Sequence, residues 1–191
     1  LTGGIASGKS TVSAMIKSQG VPVLCADELA RAAVDPGKPA YKKIVRAFGR
    51  RVLNKDKSIN RARLGAVVFT SETKRKKLER IVHPEVIREL KKSIGNLRRR
   101  GKKAVVLDIP LLFEERLDRL CDKVIVVYAP EKKMKKRLKK RNALSGKEIK
   151  NRIASQIPIE AKKKRADFVI DNSGPLFKTG LQVEKLLHQL K

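Results

Sequence analysis

The stretch that most constrains this chain is GGIASGKS, residues 3–10, which matches the pattern G-x-x-x-x-G-K-[ST] at every fixed position. In this pattern the glycines let successive backbone N–H groups turn inward around the phosphates of a nucleotide. Lys9 is predicted to reach the β- and γ-phosphates, and the Ser10 hydroxyl is predicted to ligate Mg²⁺. The predicted nucleotide-binding residues are Gly4, Ala6, Ser7, Gly8, Lys9, Ser10 and Thr11.

After this loop, short β-branched runs alternate with helical patterns. The predicted strands cover residues 21–25, 103–109, 123–129 and 167–171. Helices are predicted over 9–19, 146–155 and 175–190, the first ending at Gly20 and the second opened by a Ser145/Glu148 capping box. This alternation predicts an α/β fold of the three-layer P-loop NTPase type, in which helices cover both faces of a parallel sheet.

The 191 residues are expected to form a single domain. Its core is predicted at 1–38 and 102–191, with a helical insertion of about 39–101 and a lid of about 131–160. In the insertion, Asn60 and Ser71 are predicted to start helices, and His83-Pro84 to break one helix and open another. Such an insertion often holds the second substrate of an enzyme.

Two aspartates follow predicted strands at the sheet edge where open α/β sheets bind ligands. Asp27 is the preferred carboxylate for the acceptor hydroxyl, with helix capping as its alternative role. Asp108 ends the apolar run AVVLD and resembles a carboxylate that assists Mg²⁺ through water, with turn formation as the alternative. GTPase-type base-recognition motifs such as NKxD are not evident.

Three further residues are weaker candidates. Arg137 and Arg141 lie one turn apart on a basic helix, where either could neutralise charge on the transferred phosphoryl group. Their alternative is an ordinary surface helix rich in lysine. His83 is a candidate catalytic or substrate-binding residue, although a histidine before a helix-initiating proline commonly packs or caps.

The charge is the outlying bulk property, because 47 Lys+Arg against 19 Asp+Glu give a net +28. The basic residues are spread over many segments and aromatic residues make up only 4%, so nucleic acid is not the expected partner. No apolar run is long enough to cross a bilayer, and a soluble cytoplasmic protein is expected. Cys25 and Cys121 fit no zinc or disulfide spacing and are expected to be reduced.

Several ordered motifs together resemble the dephospho-CoA kinase family along nearly the whole chain. The resemblance is carried by LTGGIASGKSTV (1–12), CADELAR (25–31), INRARLGAVVF (59–69), LERIVHP (78–84), DIPLLFE (108–114) and ASQIPIEAKKKRADFVIDNSG (154–174). It implies ATP-dependent phosphorylation of the ribose 3′-hydroxyl of dephospho-CoA, the last step of coenzyme A synthesis, with Mg²⁺. It also implies a five-stranded parallel core, a helical CoA-side region and a lid.

The resemblance also assigns residues. Asp27 falls on the second Asp of the family's D-A-D-x-x-A-R segment and Arg31 on its Arg, while His83 lies among the acceptor-side helices. Arg137 falls in the lid, and Asn172 in the segment near the adenine. Cys25 departs from the family because it replaces the first Asp, and a neutral thiol is a poor substitute for a carboxylate ligand. Because Asp27 is retained, activity is still expected, either full or reduced, provided that the chain is complete at its start.

Two alternatives remain at this stage: another P-loop small-molecule or nucleotide kinase, and a nucleic-acid-binding ATPase suggested by the charge. A monomer or weak oligomer is expected. Only Leu1 and Thr2 precede Gly3 and no Met initiates the chain, so the sequence is expected to lack most of the strand before the loop.

Overall fold

The computed structural model describes residues 1–142 and 145–189, without the side chains of residues 141 and 142. The chain divides into two compact units, here called the core unit (Leu1–Val23 with Lys102–Lys191) and the helical unit (Leu24–Gly101). Within the described ranges, no helix is long and apolar enough to span a membrane.

The strands and helices alternate in the order that the sequence predicts. The strands are β1 (Thr2–Gly3), β2 (Val23–Cys25), β3 (Val106–Asp108), β4 (Ile125–Tyr128) and β5 (Phe168–Asp171). The helices of the core unit are α1 (Lys9–Ser18), α6 (Glu131–Asn142), α7 (Gly146–Ala154), α8 (Ile159–Lys164) and α9 (Leu176–Gln189). Those of the helical unit are α2 (Ala26–Ala33), α3 (Pro39–Phe48), α4 (Arg61–Phe69) and α5 (Glu72–Arg99), and short 3-10 helices cover Arg50–Val52 and Leu117–Leu120.

The main sheet of the core unit is parallel, with the strand order β1-β4-β5. Thr2 pairs with Val126, and all four residues of β4 pair with those of β5. The other two strands, β2 and β3, form a separate two-stranded sheet. The expectation of one five-stranded sheet is therefore wrong. Strand β1 has only two residues. The hydrogen bond to the segment that follows β3 is made by Leu1, just before β1, whose carbonyl accepts from Ile109 N at 3.0 Å.

Helices cover both faces of the main sheet. On one face, Ile125 and Val127 of β4 pack in a hydrophobic cluster with Ile16 of α1 and Val183 of α9. Side chains alternate along a strand, so Tyr128 points to the opposite face. There its hydroxyl donates to Glu160 of α8 at 2.8 Å, and this hydrogen bond raises the pKa of Tyr128. The core unit thus has three layers.

A carboxylate fixes the start of β5. Asp167 accepts a hydrogen bond from Val124 N at 2.8 Å and forms an ion pair with Lys123 Nζ at 3.1 Å. The hydrogen bond from the Val124 backbone, and then the lysine, lower the pKa of Asp167. This side chain therefore links the segment before β4 to the strand that pairs with β4.

The helical unit is organised around α5, against which α2, α3 and α4 pack. Asn60 and Ser71 are confirmed as helix starts, because their side chains accept from Arg63 N at 2.9 Å and Lys74 N at 3.4 Å. The helical unit begins at Leu24, whereas the sequence pattern predicts that the helical insertion begins near residue 39. The reason is α2, which packs on α5 and so belongs with the helical unit.

The predicted helix break at His83-Pro84 is wrong. Helix α5 runs through Pro84 without interruption for 28 residues. Proline inside a helix removes one backbone hydrogen bond, at a cost of about 3 kcal/mol. The packing of Val86 and Leu90, both buried just beyond Pro84, offsets that loss and keeps the helix continuous.

Candidate active site

The phosphate motif forms a tight loop between β1 and α1. Gly8 adopts a φ of 98° and precedes the first residue of α1, so a left-handed conformation directs the chain into the helix. A Cβ on Gly8 would lie 1.9 Å from Asn172 Nδ2, which leaves no room for a side chain. Ser7 N donates to Gly4 O at 3.0 Å and closes the turn. Glycine is therefore required at Gly8 by both conformation and space.

Two side chains from the C-terminal half of the chain hold the loop from below. Asn172 Nδ2 donates to Ser7 O at 2.8 Å, and Arg137 Nη1 donates to the same oxygen at 2.9 Å. Arg137 Nη2 also donates to Asn172 O at 2.7 Å, and Thr179 Oγ1 donates to Asn172 Oδ1 at 3.0 Å. Asn172 and Thr179 are both buried. The loop conformation is thus fixed by a continuous network of hydrogen bonds.

A cavity of about 530 Å³ opens over this loop. Six of the seven nucleotide-binding residues predicted from the motif line it, namely Gly4, Ala6, Gly8, Lys9, Ser10 and Thr11, and so does Asn172, which the resemblance places near the adenine. Ser7 does not, because its side chain is buried beneath the loop, where the hydroxyl has no hydrogen-bond partner among the described residues. The remaining lining residues are Gly3, Ile5, Pro110, Arg137, Gln156 and Leu176.

Lys9 and Asp108, predicted separately as phosphate and metal residues, form an ion pair. Asp108 is buried at the end of β3, whereas Lys9 keeps 18% of its side chain exposed. An ammonium group on one side of the cavity is therefore held by a carboxylate that water barely reaches. This arrangement positions Lys9 at the wall of the cavity.

The donors at this site fit a magnesium ion. The exposed Ser10 hydroxyl and the Asp108 carboxylate are hard oxygen ligands, which Mg²⁺ prefers. In the part of the chain that the structure describes, no cluster of three or more His, Cys, Asp or Glu residues could hold a metal. A sparse protein ligand set is typical of Mg²⁺ bound together with nucleotide phosphates and water.

The acceptor-side candidates lie in the helical unit. Asp27 and Arg31 are exposed on α2, one turn apart on the same face of the helix. Cys25, and not Asp27, is the N-cap residue of α2, and its side chain makes no capping hydrogen bond. Asp27 is the second residue of the helix, so the alternative in which Asp27 is the capping residue of α2 is wrong. His83 is half-buried within α5.

The predicted lid consists of α6 and α7. The Ser145/Glu148 capping box is confirmed, since Glu148 N donates to Ser145 Oγ and Ser145 N donates to Glu148 Oε2. Residues 143 and 144, and the side chain of Arg141, lie outside the described part. Arg137 of α6 lines the cavity, where the backbone carbonyls of Ala6, Ser7 and Asn172 accept its hydrogen bonds. Its role in neutralising charge on the transferred phosphoryl group stays a prediction.

Two polar side chains of the site were not predicted from the sequence. Gln156 lines the cavity, and its Oε1 accepts from Ile5 N at 2.8 Å. Gln156 lies within residues 154–174, which carry part of the family resemblance, but nothing in that segment distinguishes it as a site residue. Thr179 belongs to α9, where no pattern distinguishes it from other helix positions.

A parallel sheet with this loop between its first strand and first helix defines a P-loop nucleotide-binding protein. The family model described as dephospho-CoA kinase matches residues 1–177. A dephospho-CoA kinase of Bacillus cereus is 50% identical over 187 residues, covering 98% of this chain and 94% of that protein. One of Geobacillus kaustophilus is 51% identical, covering 99% and 94%. The chain belongs to the dephospho-CoA kinase family.

Solved structures agree with this assignment. A dephospho-CoA kinase from Campylobacter jejuni has a TM-score of 0.75 at 33% identity, covering 99% of this chain and 94% of that one. A crystal structure from Thermus thermophilus has a TM-score of 0.84 at 35% identity, covering 100% and 95%. The similarity thus extends over both units of the chain.

Proposed function

We propose that this chain transfers the γ-phosphoryl group of ATP to the ribose 3′-hydroxyl of dephospho-CoA, giving CoA and ADP. The observation that carries the proposal is the anchored phosphate loop, with Lys9 at its cavity, in a chain that belongs to the dephospho-CoA kinase family. In the reaction, a bond forms between the 3′-oxygen and the γ-phosphorus, and the bond from that phosphorus to the β,γ-bridging oxygen breaks.

On the ATP side, the backbone N–H groups of the loop and the N-terminus of α1 bind phosphate, and Lys9 compensates phosphate charge. Ser10 would hold Mg²⁺, with Asp108 acting through water, and the ion when bound would neutralise charge on the phosphates. Arg137 stabilises the loop directly and contributes positive charge at the cavity, as its hydrogen bonds to Ala6 O and Ser7 O suggest. Asn172 supports the nucleotide site from the same network.

On the acceptor side, Asp27 accepts the proton of the 3′-hydroxyl as the oxygen attacks. Its exposure on the first turn of α2 supports this role, because the carboxylate is not used in the described residues to cap the helix or to form an ion pair. Arg31 and His83 are proposed to bind dephospho-CoA. A guanidinium group suits the phosphate groups of that substrate.

The decisive experiment replaces Asp27 with Asn and measures ADP release with ATP, Mg²⁺ and dephospho-CoA. Loss of a general base predicts a fall in kcat of about 10² to 10⁴, with the dissociation constant for ATP nearly unchanged. Glu28→Gln is the matched control, because Glu28 is the adjacent exposed acid in the first turn of α2 and should leave kcat intact. Near-normal turnover in Asp27→Asn would refute the role of Asp27, and no turnover of dephospho-CoA by the unaltered chain would refute the function.

The proposal extends to the setting of the enzyme: a cytoplasmic protein, active as a monomer or weak oligomer, with a small molecule as its partner. The net charge of +28 then serves to attract anionic substrates, which raises their encounter rate. Since that attraction is screened by salt, kcat/KM is expected to fall as ionic strength rises.

A further inference from the structure

Gln156 occupies the short connection between α7 and α8 in the core unit. It is half-buried and lines the same cavity as Lys9 and Ser10. No role in the reaction follows for it from the phosphate motif, which ends at Ser10. Its place in the wall of the cavity nevertheless puts an uncharged polar side chain beside the proposed phosphate site.

The two ends of the Gln156 carboxamide have different partners. Oε1 accepts a hydrogen bond from Ile5 N at 2.8 Å. A backbone N–H can only donate, so the amide orientation is settled: the oxygen faces the loop, and Nε2 is the other terminal atom. Within residues 1–142 and 145–189, Gln156 Nε2 donates no hydrogen bond to a protein acceptor. Two N–H donors thus remain available at the cavity.

The backbone that carries Gln156 is held firmly. The next residue, Ile157, donates its N–H to Glu114 Oε1 at 3.0 Å. The same oxygen pairs with Lys162 Nζ at 2.7 Å, and Lys162 is fully buried. A side chain whose neighbouring backbone and whose own oxygen are both fixed loses little freedom when its nitrogen binds a ligand.

We propose that Gln156 is a phosphate-binding residue, whose Nε2 donates a hydrogen bond to a phosphate oxygen of ATP. The inference rests on the proposed function only in taking ATP as the nucleotide. An amide can bridge the loop and its ligand because its oxygen accepts from Ile5 N–H while its nitrogen donates to an anion. A carboxylate at the same position could do the first but would repel the phosphate.

The test is Gln156→Glu, with the dissociation constant for ATP measured by equilibrium titration in the absence of dephospho-CoA. This variant keeps an oxygen for Ile5 N–H and replaces the donor with negative charge. Loss of a hydrogen bond to a charged group predicts an affinity about ten- to hundredfold lower. Gln156→Met, which has no donor or charge, is the second variant; it loses the same hydrogen bond without the added repulsion and is expected to weaken ATP binding about tenfold.

Gln19→Glu is the matched control. Gln19 is exposed in the core unit at the C-terminal end of α1, the opposite end of that helix from the phosphate loop, and it does not line the cavity. The substitution therefore adds the same charge away from the cavity, and its ATP affinity should stay within about twofold of the original.

The outcomes separate cleanly. Unchanged ATP affinity in folded Gln156→Glu and Gln156→Met, or an equal loss in Gln19→Glu, would overturn the assignment of Gln156. Failure of the original chain to bind ATP would overturn it as well. If ATP binds and the Gln156 variants weaken it while dephospho-CoA is not phosphorylated, the proposed function fails and the role of Gln156 stands.

Discussion

Replacing Thr179 with valine tests whether a residue of α9 controls the phosphate loop. Valine has nearly the size of threonine, so the change removes the hydroxyl donor and little else. The affected hydrogen bond joins Thr179 Oγ1 to Asn172 Oδ1 over 3.0 Å, and the exposed fractions of the two residues are 0% and 3%. An acceptor left unsatisfied at such depth costs about 1 to 3 kcal/mol of unfolding free energy. For a chain of this size, that corresponds to a melting temperature lower by about 2 to 12 °C.

The same substitution should weaken ATP binding. The hydroxyl of Thr179 fixes the orientation of the Asn172 amide, whose nitrogen holds Ser7 O at 2.8 Å. If that second hydrogen bond is lost, ATP must order the loop as it binds, which makes the binding free energy less favourable by about 0.5 to 1.5 kcal/mol. The dissociation constant for ATP is then expected to rise about two- to tenfold. The assay is a thermal melt of each variant followed by titration with ATP.

Two controls separate positioning from general stability. Thr179→Ser keeps the hydroxyl and should restore ATP affinity, although it removes a buried methyl group. Leu64→Ala removes a side chain that is buried in the hydrophobic cluster of the helical unit, which contains neither Asn172 nor the phosphate loop. It should lower the melting temperature and leave ATP affinity unchanged. Equal ATP affinity in Thr179→Val and the original chain would refute the reasoning, as would failure of Thr179→Ser to restore it.

Three further substitutions test other parts of the structure. Gly8→Ala should reduce ATP affinity at least tenfold in a binding titration, because a Cβ there would lie 1.9 Å from Asn172 Nδ2 at a φ of 98°. Cys25→Asp should raise the unfolding free energy by about 1 kcal/mol, measured by urea titration, because it supplies the missing N-cap acceptor of α2; it should also raise kcat in the dephospho-CoA assay. Asp167→Ala should lower the melting temperature at pH 7, and this difference should shrink as the pH falls below about 4, where the native carboxylate with its lowered pKa takes up a proton. An unchanged pH profile would exclude Asp167 as a source of stability.

Local signals in the sequence predicted local structure well. The phosphate motif, the helix starts at Asn60 and Ser71, and the capping box at Ser145 were all readable, because each depends on residues within a few positions of one another. Hydrogen bonds of this short range can be predicted without knowledge of the tertiary packing.

The errors came where packing or strand pairing overrides a local preference. Pro84 predicts a break, but α5 is held on both sides of Pro84 by its contacts with the other helices of its unit. The four strands predicted by residue range exist, together with the two-residue strand before the loop, yet pairing between strands is not encoded in any one of them, and they divide into sheets of three and two. Similarly, nothing near Lys9 in the sequence indicates that Asp108 is its ionic partner.

The site itself shows why its supporting residues were harder to predict than its loop. The side chains that hold the loop, Arg137, Gln156 and Asn172, are separated from their partners by 130, 151 and 165 positions. The motif therefore specifies which backbone groups can bind phosphate, while the C-terminal half of the core unit decides whether they are held in place.

This division has a consequence for how substitutions act. Asn172 directly follows β5, and its N–H donates to Tyr128 O at 2.8 Å, so the loop support continues the pairing of β4 with β5. A change that loosens β5, such as Ile170→Ala, thus reaches the phosphate site through Asn172 without touching the loop. A change in the core of the helical unit that lowers the unfolding free energy equally, such as Leu64→Ala, acts in a unit that contains neither Asn172 nor the phosphate loop. Nucleotide affinity, and not stability alone, therefore reports on which of the two units a substitution perturbs.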